Sequence, residues 1–255
     1  MSNRHGAFIW YELMTSDIEA ARAFYEPVVG WTIGGKSDMP GMDYRMVSAP
    51  DGMVGGVMQI DDDMAANGAR PVWLGYIGVE DVDATAAAIK WEGGKILVEP
   101  RDIPDVGRFA MATDPQGAPF YVMRGFSNEA STAFLADAPG HCAWNELSTP
   151  DQKGAHAFYE GLFGWTNPDS MPMDEMGDYR FLFVGDERIG ATVEQKDRPA
   201  TWLFYFRVPS IPAAVEAVKA RGGTIMMGPH EVPGGDHIVI GGDPQGATFA
   251  LVGGL

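Results

Sequence analysis

The chain has 255 residues, 45% of them hydrophobic, and no apolar run near the ~20 residues that a membrane span needs, which is the profile of a soluble globular protein with no membrane partner. A net charge of −17 repels phosphate backbones and excludes nucleic acid as a partner; the acidity serves solubility. The single cysteine, Cys142, has no internal disulfide partner, and the opening MSNRHGAF lacks the apolar core of a secretory signal, so a reducing, cytoplasmic location is expected.

Residues 7–14 alternate with period two, which predicts a strand with Ile9, Tyr11 and Leu13 on one side and Phe8, Trp10 and Glu12 on the other. A helix follows: Ser16 and Glu19 have capping-box spacing, Ile18, Ala21, Tyr25 and Val28 form an apolar stripe, and Gly30 ends it. Strands are predicted at 43–48 and 53–60, around the turn Pro50-Asp51-Gly52. The run VWLGYIGV (72–79) leads into a helix over 82–92, closed by Gly93-Gly94. Strands over 95–99, 107–113 and 118–124 complete the half, with the turn Asp114-Pro115-Gln116-Gly117 between the last two.

The chain then repeats itself. Trp10, Glu12, Leu13, Thr15, Asp17, Phe24, Tyr25, Gly30 and Trp31 recur as Trp144, Glu146, Leu147, Thr149, Asp151, Phe158, Tyr159, Gly164 and Trp165. Thr149 with Gln152 repeats the capping box, and Pro150 suits a first helical position. The strand WLFYFRV (202–208), a helix over 211–221, Gly222-Gly223 and Asp243-Pro244-Gln245-Gly246 match the rest. Each half reads β-α-β-β-β twice, which predicts two domains, 1–126 and 139–255, joined by a small, polar linker at 127–138.

With its strand–FY–GW segments, Gly-Gly helix ends and DPQG turns, the chain resembles the vicinal oxygen chelate superfamily, which includes glyoxalases, bleomycin-resistance proteins and extradiol dioxygenases. The resemblance covers nearly the whole sequence. It implies an α+β fold of two glyoxalase-like domains, each made of two βαβββ units whose curved mixed sheets enclose a cleft. It implies no single activity, because this fold hosts lyases, isomerases, dioxygenases and metal-free binding proteins. In the metal-using members, His, Glu or Gln ligands stand at four positions per cleft. Carried onto this chain, those positions fall at Trp10, Gln59, Leu74 and Tyr121, and at Trp144, Glu194, Leu203 and Ala250. At most one good donor per cleft remains, so no cofactor is expected. The five histidines form no two-His or His-Glu motif of metal-binding spacing.

Strand alternation supplies the candidate site instead. If Leu74 and Leu203 hold the old ligand positions, Tyr76, Tyr205 and Arg207 share their side of the strand, as do Trp10 with Glu12 and Trp144 with Glu146. Arg108 and its counterpart His237 are expected to face inward from neighbouring strands, and Tyr121 from the last strand of its unit. Glu12 and Glu146 are the catalytic candidates, as general bases or substrate anchors; the structural alternative pairs each with an inward Arg or Tyr. Trp10, Tyr76, Arg108, Tyr121, Trp144, Tyr205, Arg207 and His237 are the ligand-binding candidates, with Trp10 and Trp144 as stacking walls or plugs. For Arg207 the choice lies between an anionic ligand and an ion pair with Glu146. Phe24-Tyr25 and Phe158-Tyr159 are core residues.

The leading function is binding of a small aromatic or carbonyl-bearing metabolite in a cleft without the usual metal, with or without catalysis. One alternative is a metal-dependent lyase, isomerase or dioxygenase whose divalent metal sits on displaced ligands, Glu12 or Glu146 with Glu194 and His237. Another is non-catalytic sequestration, as in resistance proteins. A monomer is feasible and a homodimer possible.

Overall fold

The computed structural model describes residues 3–36, 42–173 and 177–255. The first half contains β1 (Phe8–Thr15), α1 (Ile18–Val29), β2 (Thr32–Ile33), β3 (Tyr44–Ala49), β4 (Gly52–Gln59), α2 (Asp62–Ala66), β5 (Val72–Gly78), α3 (Val82–Trp91), β6 (Lys95–Ile103), β7 (Gly107–Thr113) and β8 (Pro119–Gly125). The second half contains β9 (Cys142–Thr149), α4 (Gln152–Phe163), β10 (Ser170–Pro172), β11 (Asp178–Val184), β12 (Glu187–Glu194), β13 (Thr201–Arg207), α5 (Ile211–Ala220), β14 (Thr224–Glu231), β15 (His237–Gly242) and β16 (Thr248–Gly253). They form two open eight-stranded mixed sheets of the same topology, ordered β2-β3-β4-β1-β5-β8-β7-β6 and β10-β11-β12-β9-β13-β16-β15-β14. Among the described residues no helix is long and apolar enough to cross a membrane.

The helix starts differ from the sequence expectation. The N-caps of α1 and α4 are Asp17 and Asp151, whose carboxylates accept from the amides of Ala20 and Gly154 at 2.9 Å. A carboxylate in extended backbone reaches the third helical amide without help from a capping box. The Thr15 and Thr149 hydroxyls instead meet the amides of Asp17 and Asp151. Gly30 and Gly164 end these helices in the left-handed region, at φ 88° and 67°. Neither α2 nor β2 was foreseen, since five and two residues are too short to show a period.

The chain divides into two compact units: Met1–Ile9 with Gly75–Ser131 and Trp144–Trp202, and Trp10–Leu74 with Thr132–Ala143 and Leu203–Leu255. Each unit takes segments from both halves of the sequence, and the repeated motifs show how. In the first unit the buried Tyr159 hydroxyl accepts from Trp202 Nε1 (3.2 Å) and donates to Asp114 Oδ2 (3.2 Å). In the second, the buried Tyr25 hydroxyl accepts from Trp73 Nε1 (3.0 Å) and donates to Asp243 Oδ2 (3.0 Å). The same aspartates take the turn amides of Gln116 and Ala118, and of Gln245 and Ala247. The FY tyrosine of one half therefore completes the DPQG turn of the other, because a buried phenol needs an acceptor. Burial pushes both tyrosines well above their ordinary range and raises both aspartates, so these are structural groups.

Aromatic rings fill the space around them. In the first unit Tyr159 stacks on Trp165 (5.0 Å, 12°), and Phe8 meets Trp202 edge-on. In the second, Phe206 packs against Trp31 and Trp73, each at 4.8 Å, and against Tyr11. Trp202, Phe204 and Phe206 are buried along one side of β13, and Val208, just past its end, is buried as well.

Candidate ligand-binding site

In the first unit, β9 buries Asn145, Leu147 and Thr149 on one side and leaves Trp144, Glu146 and Ser148 half-buried on the other. A tyrosine from β11 joins the second set. The Tyr179 hydroxyl accepts from Trp144 Nε1 (2.8 Å) and donates to Glu146 Oε2 (2.6 Å). At 2.6 Å the second contact lies at the short end of the O–H···O range. Trp144 and Tyr179 both meet Phe181 edge-on, and the Arg188 guanidinium lies 4.3 Å over the same ring. An indole, a phenol and a carboxylate are thus locked to one another.

In the second unit Trp10 Nε1 likewise donates to the Tyr44 hydroxyl (2.9 Å), and Glu12, two residues along β1, is 2% exposed. Sequence reasoning missed Tyr44 and Tyr179. A signal was present, because Asp-Tyr-Arg recurs at 43–45 and 178–180 on the strand before each hairpin. The partner is more than thirty residues from its tryptophan, beyond what local periodicity reports.

Elsewhere in the first unit, Tyr76 and Tyr121 face each other across the parallel pair β5–β8, and their buried rings stack at 4.2 Å and 14°. Tyr205, in the second unit, is buried on β13 opposite Ala250. His237 is half-buried on β15, opposite Gly253 and Glu231. Arg207 pairs with Asp236 (2.8 Å) and also donates to the Ala136 carbonyl, so its observed salt-bridge partner is Asp236. Arg108, expected to face a ligand, is already committed. Its Nε and Nη2 donate to Asp83 (2.6 and 2.8 Å), Nη1 to Asp102 (2.8 Å), and Nη2 also to the Pro100 carbonyl. This bonding lowers Asp83 and raises Arg108 from their usual ranges.

The remaining polar candidates have structural work. The Gln59 amide accepts from the Ile18 amide and donates to the Ser16 and Ile60 carbonyls, holding the start of α1. Glu194 pairs with Lys196 at 3.1 Å and borders a depression of about 560 Å³ with Gln152, Lys153, Asp178 and Arg180. His156, on α4, is 8% exposed and bonds Thr192 Oγ1 through Nε2 (2.7 Å). Burial, aided by the charge of Arg180, lowers its pKa to about 4 and keeps it neutral. His141 is fully buried between the Thr132 carbonyl (2.6 Å) and Asp51 (2.7 Å), at the entry to β9. Among the described residues no group of three or more His, Cys, Asp or Glu side chains is placed to hold a metal ion.

A family model described as the Glyoxalase/Bleomycin resistance protein/Dioxygenase superfamily matches residues 7–122 and 138–251. The chain belongs to this superfamily. It is 33% identical over 255 residues to "Putative glyoxylase CFP32" of Mycobacterium tuberculosis (strain CDC 1551 / Oshkosh), covering 98% of this chain and 95% of that one. It is 28% identical over 263 residues to "Anthracycline biosynthesis protein DnrV" of Streptomyces peucetius, covering 97% and 93%. Among solved structures, the Mn(II)-bound glyoxalase of Novosphingobium aromaticivorans superposes with a TM-score of 0.67 at 18% identity, covering 98% of this chain and 82% of that one. The 2,3-dioxygenase LapB of Pseudomonas sp. KL28 superposes with a TM-score of 0.65 at 14% identity, covering 100% and 93%. At these identities the structural likenesses show the superfamily's fold and nothing finer.

Proposed function

We propose that the protein binds a small aromatic or carbonyl-bearing metabolite at the Trp-Tyr-Glu clusters, in place of the metal centre used by other members of the superfamily. The observation that carries this reading is the Trp144–Tyr179–Glu146 chain of hydrogen bonds, with Trp10, Tyr44 and Glu12 as its counterparts. A held indole offers a flat apolar wall, and a carboxylate beside it offers an acceptor for a hydroxyl or enol. Such a pair orients a planar, proton-donating ligand and needs no cofactor to do so. The chain's charge fits a small molecule rather than nucleic acid, and the name of the Streptomyces relative is consistent with small-molecule metabolism.

Tryptophan fluorescence tests this with a panel of phenolic aldehydes and aryl ketones titrated into the native protein, Trp10→Phe and Trp144→Phe. Saturable quenching that loses amplitude in one of the two variants is expected. Weak, linear quenching equal in all three proteins across the panel would overturn the reading.

A further inference from the structure

The two Trp-Tyr-Glu clusters differ at one position of the strand beside the carboxylate. In the parallel pair β1–β4, Gly56 lies opposite Glu12; in β9–β12, Ala191 lies opposite Glu146. Opposed residues share a face, so positions 56 and 191 lie on the same side of the sheet as the carboxylate. A methyl group built on Gly56 would overlap the hydroxyl oxygen, Cζ and Cε1 of Tyr44. The Tyr44 ring thus lies in the space where a side chain would be. At the matching position of the other copy, Ala191 carries that methyl. The carboxylates differ in step: Glu12 is 2% exposed, whereas Glu146 is only half-buried.

We infer that the glycine or alanine opposite the carboxylate determines which copy takes a ligand. Gly56 lets Tyr44 lie down and cover Glu12, and Ala191 props Tyr179 up so that Glu146 stays within reach. The second copy, around Trp144, is then the one that accepts a hydroxyl or enol on its carboxylate, and the first is closed. This rests on the binding function proposed above. The neighbouring glycines set a useful contrast. A methyl on Gly55 or Gly190 would strike the backbone carbonyl of Tyr11 or Asn145, so both copies need glycine there to form the ladder. At 56 the obstacle is the far end of a side chain, which can swing away.

Carbodiimide-driven amidation with glycinamide, mapped by mass spectrometry, reads carboxylate access without any ligand. In the native protein Glu146 should label several-fold faster than Glu12. Gly56→Ala should raise Glu12 labelling several-fold with Glu146 unchanged, and Ala191→Gly should slow Glu146. Equal labelling of the two in the native protein would overturn the inference, as would a folded Gly56→Ala variant with Glu12 still protected. Should Gly56→Ala fail to fold, Ala191→Gly decides alone, because it adds no atom and unchanged Glu146 labelling contradicts the inference. Labelling that behaves as expected while no phenolic aldehyde or aryl ketone binds would sink the proposed function and leave the glycine–alanine determinant standing.

Discussion

Tyr179 ties an indole to a carboxylate with one hydroxyl, so removing that oxygen should be felt at both ends. Tyr179→Phe is expected to cost about 0.5–1.5 kcal/mol in urea unfolding, the net contribution of a hydrogen bond, because Trp144 and Glu146 are only half-buried. It should also speed hydrogen exchange at the Trp144 indole N–H in NMR spectra; a slow, unchanged exchange rate would show that Tyr179 does not hold the ring. His156 gives a second prediction. Its folded pKa of about 4 lies below the ordinary 6.5, so the folded protein refuses a proton that the unfolded chain accepts. Its contribution is complete above pH 6.5 and is lost as the pH falls toward 4. Between pH 7 and 5 the native protein should lose about 2 kcal/mol more unfolding free energy than His156→Gln. Asp114 and Asp243, raised by burial, act in the opposite sense, but they are present in both proteins and cancel in the difference.

Among the elements, the β1–β4 and β9–β12 ladders depend on close backbone approach. Gly55→Ala should push a methyl into the Tyr11 carbonyl and cost well over ~2 kcal/mol, seen as loss of soluble protein or a sharply lowered melting temperature. Gly35→Ala, where nothing stands in the way, should change stability by less than ~0.5 kcal/mol. Strand and helix types were legible from periodicity: the buried side of β13 and the glycine ends of α1 and α4 follow from the sequence directly. The capping residues were misread because Ser, Thr and Asp stand side by side before each helix, and composition does not say which has the extended backbone that reaches the third amide. Trp10 with Glu12 and Trp144 with Glu146 were legible as neighbours on one strand face. Tyr44 and Tyr179 were not, since register between distant strands decides them. The ion pair of Arg108 was not legible for a related reason: its partner Asp83 comes from α3, an element whose approach alternation along β7 does not report.

For the whole molecule, the superfamily could be read from repeated motifs, but the assembly of the compact units could not. Both halves carry an FY tyrosine and a DPQG aspartate, so sequence cannot say whether Tyr25 meets Asp114 or Asp243. The structure pairs Tyr25 with Asp243 and Tyr159 with Asp114, within units that each draw on both halves. Residues 1–126 and 139–255 expressed separately should therefore lack native near-UV circular dichroism, and mixing them should restore it; a native-like signal from either fragment alone would contradict this. The central proposal is that the Trp-Tyr-Glu clusters bind a small molecule without a metal, and elemental analysis tests it most directly. The protein would be purified without a metal-affinity tag and dialysed against metal-free buffer. The account predicts Mn, Fe, Ni and Zn far below one ion per chain, and a near-stoichiometric content of any of them would contradict it.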